Sequence, residues 1–271
     1  MLVTDTPGST PYADDLALML EASRLASDIA MSHFRQDPEV WFKNGGRSPV
    51  SEADIAIDEL LKKLLLEARP GYGWLSEETE DSDERLSASR IFVVDPIDGT
   101  RGFIDGRKEW CISVAVVENG VPVAGVLECP ALSETYAAAG GAGARLNGRR
   151  LERLSGSAIA SVTASRKLNE AISASQGGAL AVLPFVPSLA YRLAMVAGRK
   201  VDAAFAKPGA SEWDIAAADI ILREAGGALV DLDGVQPRYN RPATRSGPLL
   251  AAGTEAVSSV IELAKSDGFL H

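Results

Sequence analysis

Apolar positions recur along this chain at two periods. Leu16, Met19, Leu20, Ile29, Ala30 and Phe34 fall at helical spacing. Thr10 and Pro11 read as the N-cap and first position of that helix, and Asp37-Pro38 as its stop. Residues 41–43 form a short apolar extended piece, and 44–49 a loop. The capping box Ser51-Glu52-Ala53-Asp54 opens a second helix with the stripe Ile57, Leu60, Leu61, Leu64, Leu65 and Ala68, ended by Pro70. The pattern then turns to strands. Residues 73–76 lead into Glu77-Glu78, a polar acidic loop spans 79–89, and the run Ile91 to Val94 reads as a buried strand. Residues 111–117 and 121–128 flank Glu118-Asn119-Gly120, a hairpin signal, and 134–139 are a further strand. From about Gly156 strands and helices alternate: strands over 160–164 and 201–205, helices over 188–197 and 212–225, the latter closed by Gly226-Gly227. Strands over 228–231 and 249–252 and a last helix from Thr254 to Lys265 complete the chain. The pattern predicts two lobes in one body, an α+β lobe over 1–156 and an α/β lobe over 157–271.

The chain has 271 residues and a formal net charge of −10. That balance argues against a nucleic-acid backbone or an anionic membrane as partner, since both attract an excess of Lys and Arg. It leaves an anionic small molecule open, because bound cations reverse the local field. The two cysteines, Cys111 and Cys129, lack zinc-site spacing and read as small buried residues. No basic segment with an apolar core opens the chain and no apolar run is long enough to span a bilayer, so a cytoplasmic location is expected. The two histidines are His33 and His271. Their scarcity argues against a Ser-His-Asp triad or a His-rich zinc site, leaving carboxylates, hydroxyls and hard metals.

Asp95-Pro96-Ile97-Asp98-Gly99-Thr100 follows the buried run and carries two carboxylates three residues apart. Pro96 stiffens the backbone, Gly99 permits a tight bend, and Thr100 offers an N-cap or a hydroxyl. Such a turn can aim hard oxygens at one point, as a divalent cation requires. The same residue types also make ordinary turns. Glu77 is either a third carboxylate at that sheet edge or part of a solvated acidic loop. Asp54 and Asp214 stand in the first turns of helices, where acids are favoured by the dipole whether or not they serve a site. Gly140-Gly141-Ala142-Gly143 lacks the spacing of a phosphate loop and reads as a turn.

Taken in order, Ser76-Glu77-Glu78, Asp95 to Thr100, Trp213-Asp214-Ile215-Ala216-Ala217 and Glu224-Ala225-Gly226-Gly227 resemble the inositol monophosphatase superfamily of Mg²⁺-dependent, Li⁺-sensitive phosphatases. Ser48-Pro49-Val50-Ser51 with Asp54 is similar to the upstream element of that family. The resemblance runs from about Lys43 to the last helix. It implies a layered αβαβα sandwich and a phosphomonoesterase acting on a small phosphorylated metabolite. It further implies that Glu77, Asp95 and the Ile97 carbonyl hold one Mg²⁺, and that Asp95, Asp98 and Asp214 hold a second. Mn²⁺ would be a substitute, and Ca²⁺ or Li⁺ inhibitory. Glu77 and Thr100 would orient and help deprotonate the attacking water. Asp54 would support them or a weak third ion, and the Gly99 and Thr100 amides would cradle the phosphate. A homodimer is suggested by the resemblance alone. One departure is Gly45-Gly46-Arg47, where relatives carry an Asp before Ser-Pro-Val, which weakens a third-ion role for that loop.

The family pattern also bears on the substrate. Members that favour inositol phosphates usually carry Thr-Asn-Phe after the Asp-Gly pair and its Thr, and a Glu about seven residues before the aspartate of the Trp-Asp pair. Here those positions are Arg101-Gly102-Phe103 and Lys207. A base beside the leaving group favours a substrate with a second anionic group, with Arg101, Arg107, Lys108, Arg166 and Lys207 as candidate contacts. This and the helix at Ser188-Leu189 resemble the 3'(2'),5'-bisphosphate nucleotidase (CysQ-like) branch. Adenosine 3',5'-bisphosphate is therefore the expected substrate. Inositol 1-phosphate comes second, then histidinol phosphate, then fructose 1,6-bisphosphate. The alternative of another class is a regulatory protein that acts by binding a partner.

Overall fold

The computed structural model describes residues 10–36, 39–43 and 48–266. The helix stop expected at Asp37-Pro38 and the departure at Gly45-Gly46-Arg47 lie outside the described residues. Helices α1 (Ala13–His33) and α2 (Glu52–Ala68) flank a two-stranded ribbon, β1 (Val40–Lys43) with β2 (Ser48–Ser51). A seven-stranded sheet follows: β3 (Gly73–Ser76), β4 (Arg90–Asp98), β5 (Cys111–Glu118), β6 (Val121–Cys129), β7 (Glu134–Ala139), β8 (Gly143–Leu146) and β9 (Arg149–Arg150), adjacent in that order. Only the β3–β4 pair is parallel within it. A short α3 (Thr100–Ile104) joins β4 to β5. The remaining elements are β10 (Ser161–Thr163), α4 (Arg166–Gln176), β11 (Ala181–Val182), α5 (Leu189–Ala197), β12 (Ala203–Ala206), α6 (Glu212–Glu224), β13 (Gly227–Val230), β14 (Leu249–Gly253) and α7 (Val257–Ser266). Their strands pair in the order β11-β10-β12-β14-β13.

Side-chain alternation assigns the layers. Along β4, Phe92 and Val94 join the apolar cluster of α1 and α2, whereas Ile91 and Val93 join the cluster of α5 and α6. Strand β5 divides the same way, with Ile112, Val114 and Val116 on one side and Cys111, Ala115 and Val117 on the other. Both faces of the large sheet are therefore covered, which is why β4 and β5 read as unbroken apolar runs rather than alternating ones. A third cluster sets Leu168 and Ile172 of α4 and Val260 and Ala264 of α7 on the smaller sheet. The result is the expected αβαβα stack: α1 and α2, seven strands, α5 and α6, five strands, α4 and α7. No described helix is long and apolar enough to cross a membrane.

Several local readings are revised. Thr10 is not the cap of α1: Tyr12 stands there, and the Thr10 carbonyl accepts from the Ala13 amide at 3.1 Å in a preceding turn. The acidic loop after Glu78 contains a 3₁₀ turn over Asp83–Ser87 whose Arg85 is 3% exposed. Arg85 binds Asp81 and reaches Asn240 and the Arg241 carbonyl, tying the loop to the C-terminal half. Helix α4 gave no apolar signal because it buries only Leu168, Asn169 and Ile172. The glycine turn at Gly140-Gly141 does bind a carboxylate, but an internal one. Glu224 accepts from the Gly141 and Gly143 amides at 3.0 and 2.7 Å.

Candidate active site

The strand expected to end at Asp95 continues to Asp98, and the continuation carries a bulge. Asp95 pairs with Ser113 and Asp98 with Cys111, so Pro96 and Ile97 together oppose Ile112. Residues three apart on a regular strand face opposite ways. One extra residue restores the parity, so Asp95 and Asp98 both fall on the face of Ile91 and Val93, toward α5 and α6. Pro96 suits the bulge because it has no amide for the ladder to require. The Asp95 carboxylate accepts from the Ile97 amide at 3.0 Å and fixes the bend.

Glu77 reaches the same face by the same arithmetic. Leu75 belongs to the α5–α6 cluster, and the residue two further on is Glu77. Its amide donates to the Val94 carbonyl at 3.3 Å, which places it beside Asp95. Ser76 and Thr79, on either side of it, donate to the buried Asp58 of α2, Thr79 at 2.6 Å. Asp214 arrives from the first turn of α6. One of its oxygens closes a capping box by accepting from the Ser211 amide at 2.7 Å. Asp214 thus carries the helix-capping role weighed for it and also stands at the site. One carboxylate oxygen each from Glu77, Asp95 and Asp214 lies within 4.8 Å of the other two.

Asp98 lines the same cavity but is not part of that triplet. Its Oδ2 accepts from the Ser188 hydroxyl at 2.5 Å and from the Ala190 amide at 2.6 Å, at the N-terminus of α5. Ser188 also caps α5, accepting from the Tyr191 amide at 2.9 Å. Gly99 makes this approach possible. Its φ is +96°, and a Cβ there would stand 3.1–3.2 Å from the Ser188 backbone and side chain. Gly99 is also the cap of α3, so Thr100 is the first helical residue rather than the N-cap. The Thr100 hydroxyl lies 3.0 Å from the Ile97 carbonyl and 3.2 Å from Asp54 Oδ1. Asp54 Oδ2 accepts from the Ser51 amide and hydroxyl at 2.8 and 2.5 Å.

Burial is the largest influence on Asp54, Asp95, Asp98 and Asp214. It lifts the carboxyl of Asp95 well above the ordinary range, and the charges of Glu77, Asp98 and Asp214 lift it further. Asp214 is lifted well above it by the same combination of burial and like charge. Asp98 and Asp54 are lifted by burial too, while their hydrogen bonds pull the other way. Such a set of hard, mutually repelling oxygens fits a divalent cation that restores the ionised forms, and Mg²⁺ suits it by charge and donor type. Arg192, overlooked in the sequence, lies behind the acids. Its guanidinium donates to the Ser188 and Phe205 carbonyls at 3.4 and 3.3 Å, and burial lowers it to about 10 while Asp98 and Asp214 raise it.

The cavity holds about 640 Å³. Its floor is acidic, and Arg101, Arg107, Arg166 and Lys207 line it as well, with Asp105 among them. Lys108 is exposed and does not line it. The bond of Ser188 to Asp98 and the role of Asp58 escaped sequence reading because their partners lie many positions away along the chain.

The family model of the inositol monophosphatase family matches residues 14–265. Histidinol-phosphatase of Mycobacterium tuberculosis is 34% identical over 249 residues, covering 88% of this chain and 95% of that protein. Inositol-1-monophosphatase of Mesorhizobium japonicum is also 34% identical over 249 residues, covering 86% and 91%. Among solved structures, Thermotoga maritima IMPase superposes with a TM-score of 0.83 at 26% identity, over 94% of this chain and 98% of that one. CysQ from Bacteroides thetaiotaomicron shares the fold, with a TM-score of 0.77 at 24% identity over 90% and 98% of the chains. The chain belongs to the inositol monophosphatase family, whose members hydrolyse phosphate monoesters.

Proposed function

We propose that this phosphatase acts on a small phosphomonoester bearing a second anionic group, with adenosine 3',5'-bisphosphate as first candidate. The observation that carries the reading is the make-up of one cavity: Glu77, Asp95, Asp98 and Asp214 at its floor, and four cations with Asp105 among them on its walls. A second anionic group on the substrate would meet favourable charge from those cations, which neither a neutral polyol phosphate such as inositol 1-phosphate nor an aminated one such as histidinol phosphate would exploit. These two substrates, named in the relatives, are the alternatives.

Glu77, Asp95 and Asp214 would hold Mg²⁺, with the Ile97 carbonyl and Asp98 completing one or two coordination sets. Bound there, Mg²⁺ supplies charge stabilisation at the phosphoryl oxygens and lowers the pKa of water. The chain's own groups do the rest. Glu77 and the Thr100 hydroxyl orient the attacking water, whose proton passes to the Glu77 carboxylate or, as Thr100 gives its own proton to Asp54, through the Thr100 hydroxyl. Asp54, two bonds from Ser51 and one contact from Thr100, keeps that hydroxyl in place. The Gly99 and Thr100 amides are the donors nearest the bend and would bind the scissile phosphate. Ser188 and the Ala190 amide hold Asp98 against the repulsion of its neighbours. Arg192 adds a fixed positive charge behind it.

The test is phosphate release in Mg²⁺ buffer from adenosine 3',5'-bisphosphate, inositol 1-phosphate and histidinol phosphate. The reading expects EDTA-sensitive turnover with the bisphosphate preferred. Preference for either other substrate would overturn the choice of substrate.

A further inference from the structure

The segment from Phe185 to Ser188 forms a rigid wall between the acidic floor and a second groove. Its inner end is held by Ser188 against Asp98 and Gly99. Its middle is held by Pro187 against Gly102, where a Cβ would come within 2.7 Å of Pro187 Cγ. Its outer end is held by Arg107, which donates to the Phe185 carbonyl at 2.8 Å. The Phe185 ring carries two guanidinium groups, Arg107 at 5.8 Å and Arg166 at 5.3 Å from its centroid. Phe185 and Arg166 line both the catalytic cavity and an adjoining groove of about 440 Å³. Beyond them the groove is walled by Val182, Leu183 and Pro184 with Asn169, and Glu170 adds a negative charge.

From this arrangement we infer that Arg166 and Phe185 form the subsite for the part of the substrate beyond the scissile phosphate. Arg166, with Arg107 beside it, receives a second phosphate. The Phe185 ring and the apolar wall receive an aromatic base. The inference rests on the bisphosphate reading above and deepens it. A guanidinium fork matches phosphate oxygens in two hydrogen bonds. Arg107 is already committed to the Phe185 carbonyl, so Arg166 supplies the adaptable fork. Past Arg166 the groove gains an acid and loses its cations, so the anion-binding part stops there and the remaining space suits a flat, weakly polar group.

Phosphate release is measured from adenosine 3',5'-bisphosphate and adenosine 3'-phosphate with wild type, Arg166→Ala, Phe185→Ala and Lys167→Ala. Lys167 is an exposed neighbour of Arg166 that lines neither cavity, so its loss reports the effect of net charge alone. The ratio of kcat/KM for the two nucleotides should fall about tenfold or more in Arg166→Ala, as for loss of one charged contact. It should stay at the wild-type value in Lys167→Ala. Phe185→Ala should raise KM for both nucleotides more than for inositol 1-phosphate. A wild-type ratio in Arg166→Ala, or an equal fall in Lys167→Ala, overturns the subsite while leaving the bisphosphate reading intact. Absence of any preference in the wild type overturns both. If neither nucleotide is turned over, calorimetric binding of adenosine 3',5'-bisphosphate decides: binding weakened about tenfold by Arg166→Ala supports the subsite, and equal binding removes it.

Discussion

Replacing Gly99 with Ala tests how the strand end and the start of α5 are held together. The left-handed conformation costs a non-glycine residue about 1–2 kcal/mol. A stiffer unfolded chain returns about 0.4–1 kcal/mol of that. The new methyl would meet Ser188 N, Cα and Cβ at 3.1, 3.2 and 3.2 Å. Those atoms are backbone and a short side chain already engaged with Asp98, so relief requires moving α5 at a cost of about 1–3 kcal/mol. The net loss is about 2–4 kcal/mol, or roughly 5–10 °C in Tm for a chain of this size. Because the shift displaces the donors to Asp98, kcat/KM should fall about ten- to a hundredfold. Gly141→Ala is the control, since its φ is +79° and nothing lies within 4 Å of the added atom. It carries the conformational cost alone, about 1 kcal/mol. Thermal unfolding and steady-state phosphate release on both variants make the comparison. If Gly99→Ala matched Gly141→Ala in Tm and wild type in turnover, the close approach would not position Asp98.

Three other expectations follow from the same structure. Asp95→Asn retains the acceptor for the Ile97 amide but removes a charge from the acidic floor; turnover should fall about a hundredfold or more, and the Mg²⁺-dependent rise in Tm expected of wild type should shrink or vanish, whereas a Mg²⁺ response equal to that of wild type would remove Asp95 from the cation site. Asp219, bonded to the Tyr239 hydroxyl at 2.9 Å, is raised by burial to about 6; a carboxyl raised on folding stabilises below its unfolded value near 4 and loses that contribution, about 3 kcal/mol, as pH rises through about 6, so urea midpoints from pH 4 to 7 should decline less in Asp219→Asn than in wild type, and parallel profiles would refute the assignment. Lys207→Glu should weaken turnover of a bisphosphate more than of a monophosphate, by about tenfold in the ratio; equal losses would take Lys207 out of substrate selection.

What the sequence disclosed depended on how local each interaction is. The capping box at Ser51 to Asp54 was legible because its partners lie within one helical turn. The same holds for the hairpin at Asn119-Gly120, whose residues both adopt positive φ. The order of acidic motifs pointed to the right family, and alternation on the buried strands explains why those acids share a face. The bulge was not legible. Asp95 to Thr100 reads as a turn because Pro and Gly punctuate it, and only the register against Ser113 and Cys111 shows the strand continuing. Ser188 read as a helix start, which it is, but its bond to Asp98 spans 90 positions. Arg192 could not be found by pattern, since a base on an otherwise apolar helix gives no sign of the carbonyls it meets. Glu224 belonged to a recognised motif, yet its task of holding the glycine turn emerges only from the packing of α6 on the large sheet.

The central claim is that the acidic floor binds Mg²⁺ for phosphate-ester hydrolysis and that the basic walls choose the substrate. Its most direct test is phosphate release with and without EDTA from adenosine 3',5'-bisphosphate, inositol 1-phosphate, histidinol phosphate and fructose 1,6-bisphosphate in one assay. The account predicts turnover that EDTA abolishes and Mg²⁺ restores, with the highest kcat/KM on adenosine 3',5'-bisphosphate. Turnover indifferent to EDTA would contradict the role of Glu77, Asp95 and Asp214, and a preference for inositol 1-phosphate or histidinol phosphate would contradict the role of the cationic walls.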